Sequence, residues 1–441
     1  MKVFLFYAIF LFAAQVCAQS PDATILATAA GKNFTPASLS PEGRDLYEKQ
    51  KQLKAEFRTQ ELQQMTSDIL LETEARARAV KPEELLEPIR AKVAEPTAKE
   101  IQSIYDLNRE RLAGRSLDGT RPDIVEFLKR AAAQKAVDNY IGTLREKYKA
   151  TAVKDINAGG LKPSDTLVTI GARSITNEEF EKKTAVRFND REFEIYSNLR
   201  ADLEASMMSV LVAEEAKALG TDASGVLAAE VTNKIRLYTD EERIGLEETL
   251  KKKLFAKYNA KFLLKQPPEY VQKISVDDDP ATGPLNAPVT VVMFSDFQCS
   301  ACSATHPVLK RTIAEFPGKV RFVVRDYPLT ELHEHAFRAA LAANAARLQG
   351  KFFEYIDILY ANQNALDDAS LTKYAASLGL NPKQFELDLN DEKVAAEVRK
   401  DMSDGLSYGV SWTPTIYVNG VKLHRNGADD FRDAINKALQ K

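Results

Sequence analysis

Cysteine is scarce, with three in 441 residues: Cys17, Cys299 and Cys302. So small a set excludes a disulfide-stapled scaffold and an all-cysteine zinc site, which needs four thiolates. An excess of charge of one sign is also lacking. Lys plus Arg (60) against Asp plus Glu (63) leaves a net charge of -3, which gives no argument for nucleic acid or an anionic membrane as partner. No G-x-G-x-x-G, P-loop or Gly-centred serine elbow occurs, so nucleotide binding and serine hydrolysis have no motif to rest on. What is present is globular: 44% hydrophobic and 28% charged residues, at a length that suits roughly two to four domains.

The long apolar run comes first. "MKVFLFYAIFLFAAQVCA" (1–18) places a lysine before an apolar core and ends on small residues, as a signal peptide does. Cleavage after Ala18 is expected, with a periplasmic or secreted location. A membrane anchor and a lipid on Cys17 are the alternatives; the shortness of the run speaks against the first and the bulk of Val16 against the second. Removing the segment leaves one cysteine pair, Cys299 and Cys302, in a compartment that permits disulfides. A bridge closing so short a loop constrains the unfolded chain little, so chemistry is the better explanation of the pair.

Residues 21–265 carry helical periodicity with few Gly or Pro. They also repeat. "LATAAGKNFTPASL" (26–39) matches "LVTIGARSITNEEF" (167–180), and "ILLETEARARA" (69–79) matches "VLVAEEAKALG" (210–220), both at an offset of 141. Two helical units, 21–155 and 160–265, are therefore expected, each with a strand-like opening and a helix capped by Thr35 or by Thr176 with Glu179. A linker at 266–288 follows, in which Asp277 to Asp279 read as solvated. Residues 289–441 change texture: strands at 289–294 and 319–328, a helix at 301–316, several helices within 333–408, and a hairpin turned at Asn419-Gly420. The expected fold class is multidomain α and α/β, an all-helical N-terminal region followed by an α/β domain with a helical insertion, which the motif below makes a thioredoxin fold.

"FSDFQCSACSATHP" (294–307) sets C-x-x-C where a strand gives way to a helix, the context of a thioredoxin-type redox centre rather than a metal clamp. His306, His333, His335 and His424 complete a zinc site poorly, since His333 and His335 do not share a helix face. No metal and no cofactor beyond the cysteine pair is expected. Residues three apart on a helix share a face, so the sulfurs can close a disulfide. Cys299, at the helix start, meets unpaired N–H groups and the positive dipole end, and is the expected nucleophile. Cys302, one turn deeper, is the expected resolving thiol. Thr413-Pro414 directly before "TIYVNG" is the expected cis proline beside the pair. Trp412 is expected to pack.

"G-x-x-I-T-x-x-E-F", "L-L-x-x-E-A-K-x-x-G" and "P-T-x-x-E-I-x-x-x-Y" patterns in 21–265 resemble the N-terminal peptide-binding domain of SurA-type periplasmic chaperones. "FSDFQCSAC", the insertion with "HEHAFRAALAANAARLQGKFFEYIDILY" (333–360) and "GVSWTPTIYVNG" together resemble the DsbA/DsbG-like thioredoxin-fold oxidoreductases of bacterial envelopes. That second resemblance implies that Cys299, Cys302 and Pro414 carry the chemistry and that the backbone of Thr413 pairs with a bound substrate chain. Two departures matter. Ser300-Ala301 stands where strong oxidants have Pro-His, which implies a less oxidising pair and leaves the direction open. Met293 stands where many relatives bury an acid to take the proton of the resolving thiol, and Asp296 lies on the turn. The implied partners are unfolded or disulfide-containing envelope proteins and a membrane or soluble redox partner, with the helical units binding clients or joining protomers. The alternative is a holdase chaperone or scaffold whose redox domain is secondary.

Overall fold

The computed structural model describes residues 24–112, 114–276 and 278–441; the expected signal segment and Asp277 lie outside them. The chain opens with a hairpin of β1 (Ala27–Ala29) and β2 (Lys32–Phe34), Ala27 opposite Phe34. Ala30 and Gly31 turn it, both at positive φ, as a two-residue turn between twisted strands requires. Four helices follow: α1 (Pro41–Arg78), α2 (Pro82–Ala91), α3 (Ala98–Leu107) and α4 (Leu117–Lys147). Proline opens α1 and α2, where its missing N–H is one that a helix start leaves unpaired anyway. Thr97 with Glu100 caps α3, and the Ser116 hydroxyl accepts from Gly119 N to cap α4. Next come β3 (Thr151–Ala152), β4 (Thr166–Ile170), β5 (Arg173–Thr176), α5 (Asn177–Leu219), α6 (Ala223–Glu230), α7 (Asp240–Lys257) and β6 (Lys261–Phe262). Thr176 caps α5 by accepting from Glu179 N at 3.2 Å. The Glu179 carboxylate pairs with Arg173.

The repeat is built as an exchange. β6, at the end of the second helical stretch, pairs with β1, giving the order β2-β1-β6; β3, at the end of the first, pairs with β4, giving β3-β4-β5. Each hairpin thus takes its third strand from the far end of the other repeat. The compact units accordingly do not follow the repeat boundaries expected near 155–160. One is Pro41–Phe188; the other joins the described residues up to Ser40 with Asn189–Lys441. The first encloses Met65, Ile69 and Leu70 of α1, Leu144 of α4, Leu167, Val168 and Ile170 of β4, and Phe180. In the second, Leu26, Ala27, Phe34, Leu203, Met207, Leu211 and Leu254 are buried. A buried carboxylate recurs at the same offset. Glu74 accepts from Lys147 and Tyr148, Glu215 from Lys257 and Tyr258. The Lys147 and Tyr148 donors hold Glu74 down at about 2, and Lys257 holds Glu215 below the usual carboxylate range.

The C-terminal α/β domain begins inside the expected linker. Val271 bridges to Val421, Ala281 and Thr282 of β7 (Ala281–Thr282) pair with Val323 and Phe322, and Asp279 meets the Arg325 guanidinium at 3.1 Å. Part of 266–288, and at least Asp279 of the acidic triplet, therefore belongs to the folded domain rather than to solvated linker. β8 (Val289–Ser295), α8 (Ser300–Ala314) and β9 (Val320–Asp326) form a β-α-β unit, with β8 and β9 parallel from Val289/Val320 to Ser295/Asp326. Both strands are buried almost throughout; β8 accordingly reads as an apolar run, whereas β9 also buries Arg325 and Asp326. The insertion comprises α9 (Ala336–Leu348), α10 (Phe352–Ala361), α11 (Asp368–Ser377), α12 (Pro382–Leu389) and α13 (Glu392–Ser407). β10 (Thr415–Val418), β11 (Val421–Lys422) and α14 (Ala428–Leu439) close the chain. The sheet order is β11-β10-β8-β9-β7, with β10 antiparallel to β8. Asn419 and Gly420 turn the hairpin at positive φ, and a Cβ on Gly420 would stand 2.1 Å from the Gln272 carbonyl oxygen, so glycine is required there. Among the described residues no helix is long and apolar enough to cross a membrane.

Candidate active site

β8 delivers the chain to the cysteines. After Ser295 the backbone turns at Asp296, whose carbonyl accepts from Cys299 N at 3.1 Å and whose carboxylate accepts from Gln298 N at 2.8 Å, Leu329 N at 2.9 Å and the His333 ring at 2.7 Å. The turn is thereby fixed from both sides. Cys299 is the N-cap residue of α8, as expected, and Cys302 sits one turn in, fully buried; both thiols are free. Gln363, just beyond α10, donates to the carbonyls of Phe297 (3.0 Å) and Cys299 (2.8 Å) and so ties the insertion to the helix start.

β10 brings the second element. Thr413-Pro414 is cis, and the Thr413 carbonyl lies 3.4 Å from Cys299 Sγ. The residues separated most in sequence are thus neighbours, because β10 pairs with β8 at Thr415/Phe294. Trp412 departs from expectation: it is 57% exposed, with the Lys422 ammonium 5.2 Å from its ring centroid. An exposed indole covered by a cation gains from the ring quadrupole without entering the core.

The two sulfurs are electrostatically unequal. Cys299 is lowered to about 5, first by the Cys302 thiol donating to it, with the Thr413 side chain and the N–H groups of Cys302 and Ala301 adding to this against the cost of burial. The helix-start amides therefore assist, but the partner thiol dominates. Burial pushes Cys302 well up, and the neighbouring Cys299 thiolate pushes it further. A thiolate at the surface end and a thiol beneath it form a nucleophile and a resolving group in series. Alkylation of Cys299 by iodoacetamide should therefore keep its full rate from neutral pH down to about pH 6 and halve near pH 5; a midpoint near 8.5, that of an ordinary thiol, would refute the assigned environment.

Two residues near the pair carried no signal in the sequence. Ser295 ends an apolar strand run, and Tyr360 lies in a helix with no motif, yet their hydroxyls meet at 2.6 Å in the interior. Met293 is fully buried on β8, as its place in that run implies, and offers no polar atom. His306 is buried against Tyr360, ring centroids 4.9 Å apart, and burial pushes it down to about 4, which keeps it neutral.

The family model described as thioredoxin matches residues 275–437. The chain is 39% identical over 151 residues to a Na(+)/H(+) antiporter NhaA of Salinispora tropica, a stretch that covers 34% of this chain and 23% of that protein. It thus spans about a quarter of the length of the curated relatives it matches. Among solved structures it is similar to a thioredoxin-like oxidoreductase from Silicibacter pomeroyi, with 27% identity, covering 37% of this chain and 93% of that one at a TM-score of 0.35. It is also similar to BdbD from Bacillus subtilis, with 25% identity, 39% and 99% coverage and a TM-score of 0.35. From residue 275 to 437, then, the chain is a thioredoxin-like α/β domain, preceded by a helical region.

Proposed function

We propose that this chain is an exported protein thiol-disulfide oxidoreductase that works through Cys299 and Cys302. The observation that supports it most is the juxtaposition of a low-pKa sulfur at the start of α8, a buried second thiol one turn on, and the Thr413 carbonyl 3.4 Å away beside Pro414. In the reductive direction the Cys299 thiolate attacks a substrate disulfide, forming a mixed disulfide and releasing one substrate sulfur as a thiolate that takes up a proton. Cys302 then attacks Cys299 Sγ and releases the second substrate sulfur. The protein pair loses two electrons and the substrate disulfide gains them; run backwards, the same steps donate the disulfide. Thr413 offers backbone groups to an extended substrate strand, and proline at 414 puts no N–H in competition for the sulfur. The helical region, 21–265, would hold unfolded or disulfide-containing envelope proteins as clients or join protomers, and a membrane or soluble redox partner would reset the pair.

The deciding measurement is the equilibrium of the pair with glutathione. A Cys299 pKa of about 5 falls between those of thioredoxin (about 7) and the strong oxidant DsbA (about 3.5). The potential is therefore expected between about -270 and -120 mV. If the two cysteines fail to exchange with glutathione at all, the reading is wrong.

A holdase reading has its own support in the apolar side chains exposed on the helical region, among them Leu219, Leu237 and Tyr238. The full chain with both Cys299→Ala and Cys302→Ala separates the two: a holdase still suppresses aggregation of a reduced client, an oxidoreductase without chaperone function does not.

A further inference from the structure

Side chains from elsewhere in the domain hold the carbonyls of the loop that joins α13 to β10. The Tyr417 hydroxyl donates to Tyr408 O at 2.8 Å, the Lys422 ammonium to Gly409 O at 3.0 Å and the Tyr327 hydroxyl to Val410 O at 2.8 Å. Thr415 Oγ1 donates to Trp412 O at 2.8 Å, and the next carbonyl, that of Thr413, stands at the Cys299 sulfur. A loop fixed at so many points still leaves its largest apolar side chain, Trp412, 57% exposed. The indole is held as well. The Lys422 side chain is only 7% exposed, and its ammonium lies 5.2 Å from the Trp412 ring centroid and 2.7 Å from Asp190 Oδ2. An ammonium so deeply buried needs a carboxylate beside it, and Asp190 supplies one from α5, in the helical region. The contact has a second point. Phe193, three residues on and on the same helix face, stacks on His424 with ring centroids 4.1 Å apart. Asp190 and Phe193 of α5 therefore grip the chain at Lys422 and just beyond it, and the first of these contacts ends on the ring beside Thr413.

We propose that Trp412 is a specificity-determining residue, the surface on which the side chains next to the substrate cysteine rest, and that Asp190, acting through Lys422, positions it. A substrate cysteine joined to Cys299 lies against Thr413, whose carbonyl is 3.4 Å from Cys299 Sγ. The Cα of Trp412 is one residue, about 3.8 Å, from that of Thr413, and adjacent extended chains lie about 5 Å apart. The exposed indole therefore reaches the side chains that flank the substrate cysteine. An indole already fixed in orientation loses little freedom when a ring or a branched aliphatic chain packs on it. The favoured substrates are thus disulfides flanked by aromatic or large apolar residues, which folded proteins bury and unfolded chains expose. Asp190 and Lys422 touch no substrate; they are positioning residues.

The assignment rests on the thiol-disulfide reading, and one experiment separates the failure of each. Short peptides carry a central cysteine flanked on both sides by Phe or on both sides by Ala, joined as a mixed disulfide to an aromatic thiol whose thiolate absorbs visible light. Cys299 of the reduced full-length chain attacks the peptide sulfur and releases the coloured thiolate. Cys302 then displaces the peptide sulfur, which takes up a proton, so the two electrons of the pair leave with the two released sulfurs. Each rate is divided by that of free glutathione with the same peptide. The unaltered chain should favour the Phe peptide about tenfold, and Trp412→Ala should bring the ratio within about twofold. Trp412→Phe, a milder change that keeps a ring, should lower it by about half and stands in if Trp412→Ala does not fold. Asp190→Asn should lower the ratio at least about threefold, and Asp190→Glu, which keeps the carboxylate, should restore most of it. Trp412 is the only tryptophan, so acrylamide quenching of its emission reads its cover directly; quenching should rise in Asp190→Asn and not in Asp190→Glu. A ratio within twofold in the unaltered chain, or a preference that survives removal of the indole, overturns the role of Trp412. An unchanged ratio in Asp190→Asn overturns that of Asp190. No coloured thiolate from either peptide with the unaltered chain overturns the oxidoreductase reading instead.

Discussion

Cys302→Ala is expected to turn the chain into a trap. Cys299 loses the largest influence that lowers it, the Cys302 thiol, but keeps the Thr413 side chain and the helix-start N–H group of Ala301, so attack on a substrate disulfide still proceeds while nothing inside the protein can displace the captured sulfur. Mixed disulfides with other proteins of the producing cell should then accumulate and disappear on reduction. Cys299→Ser should form none, and its insulin-reducing activity should fall on the order of a thousandfold or more, because the nucleophile is gone and Cys302 is too buried to replace it. Non-reducing gels of the two variants, with the adducts identified by mass, make the comparison. Equal adducts in both, or insulin reduction that survives Cys299→Ser, would remove the basis for assigning the chemistry to this pair.

Much of this site was legible in the sequence because its parts are local. A C-x-x-C at a strand-to-helix junction fixes the sulfurs on one helix face, and a Thr-Pro before a strand fixes the turn that meets them. Cys299, Cys302 and the cis Thr413-Pro414 bond lie where that reading places them. Ser295 and Tyr360 were invisible for the opposite reason. Their meeting depends on α10 packing under the end of β8, and neither residue carries a local pattern that announces a partner 65 positions away. The helical region shows the same division. The offset repeat foretold two strand-like openings, each leading into a capped helix, and Thr176 caps α5 as its spacing to Glu179 implied; that each opening is a hairpin came from the structure. The exchange of β3 and β6 between repeats was not legible, because strands of two residues have no periodicity to read. Asp279 was misread as solvated because an aspartate in a Pro-rich stretch looks like linker until the guanidinium that claims it is known.

That guanidinium supports the second large effect. Arg325→Met should destabilise the C-terminal domain by about 3–5 kcal/mol at pH 7, the cost of removing one partner from a buried ionic cluster. Arg325 is fully buried on β9, and its guanidinium meets Asp401, Asp404 at 2.8 Å and Asp279 at 3.1 Å. Asp401 also accepts from Asp326 N at 2.9 Å, so the cluster fastens α13 to β9 beside the strand that carries Ser295. Burial already raises Asp401, and the charge of Arg325 is the first influence that holds it down; without that charge its carboxyl rises further. The sign of the pH dependence follows. A carboxyl whose folded pKa lies above its unfolded value costs nothing below the unfolded value and costs progressively more as pH rises through and beyond it. The deficit of Arg325→Met should therefore shrink between pH 7 and pH 4.5, while Arg325→Met combined with Asp401→Leu should recover part of the loss at pH 7 by removing a charge left unpaired. Trp412, the only tryptophan of the chain, lies in this domain and reports its unfolding by fluorescence in denaturant. An Arg325→Met midpoint within about 1 kcal/mol of the unaltered chain at pH 7, or a deficit that grows on acidification, would show that Asp401 does not depend on Arg325 for its charge.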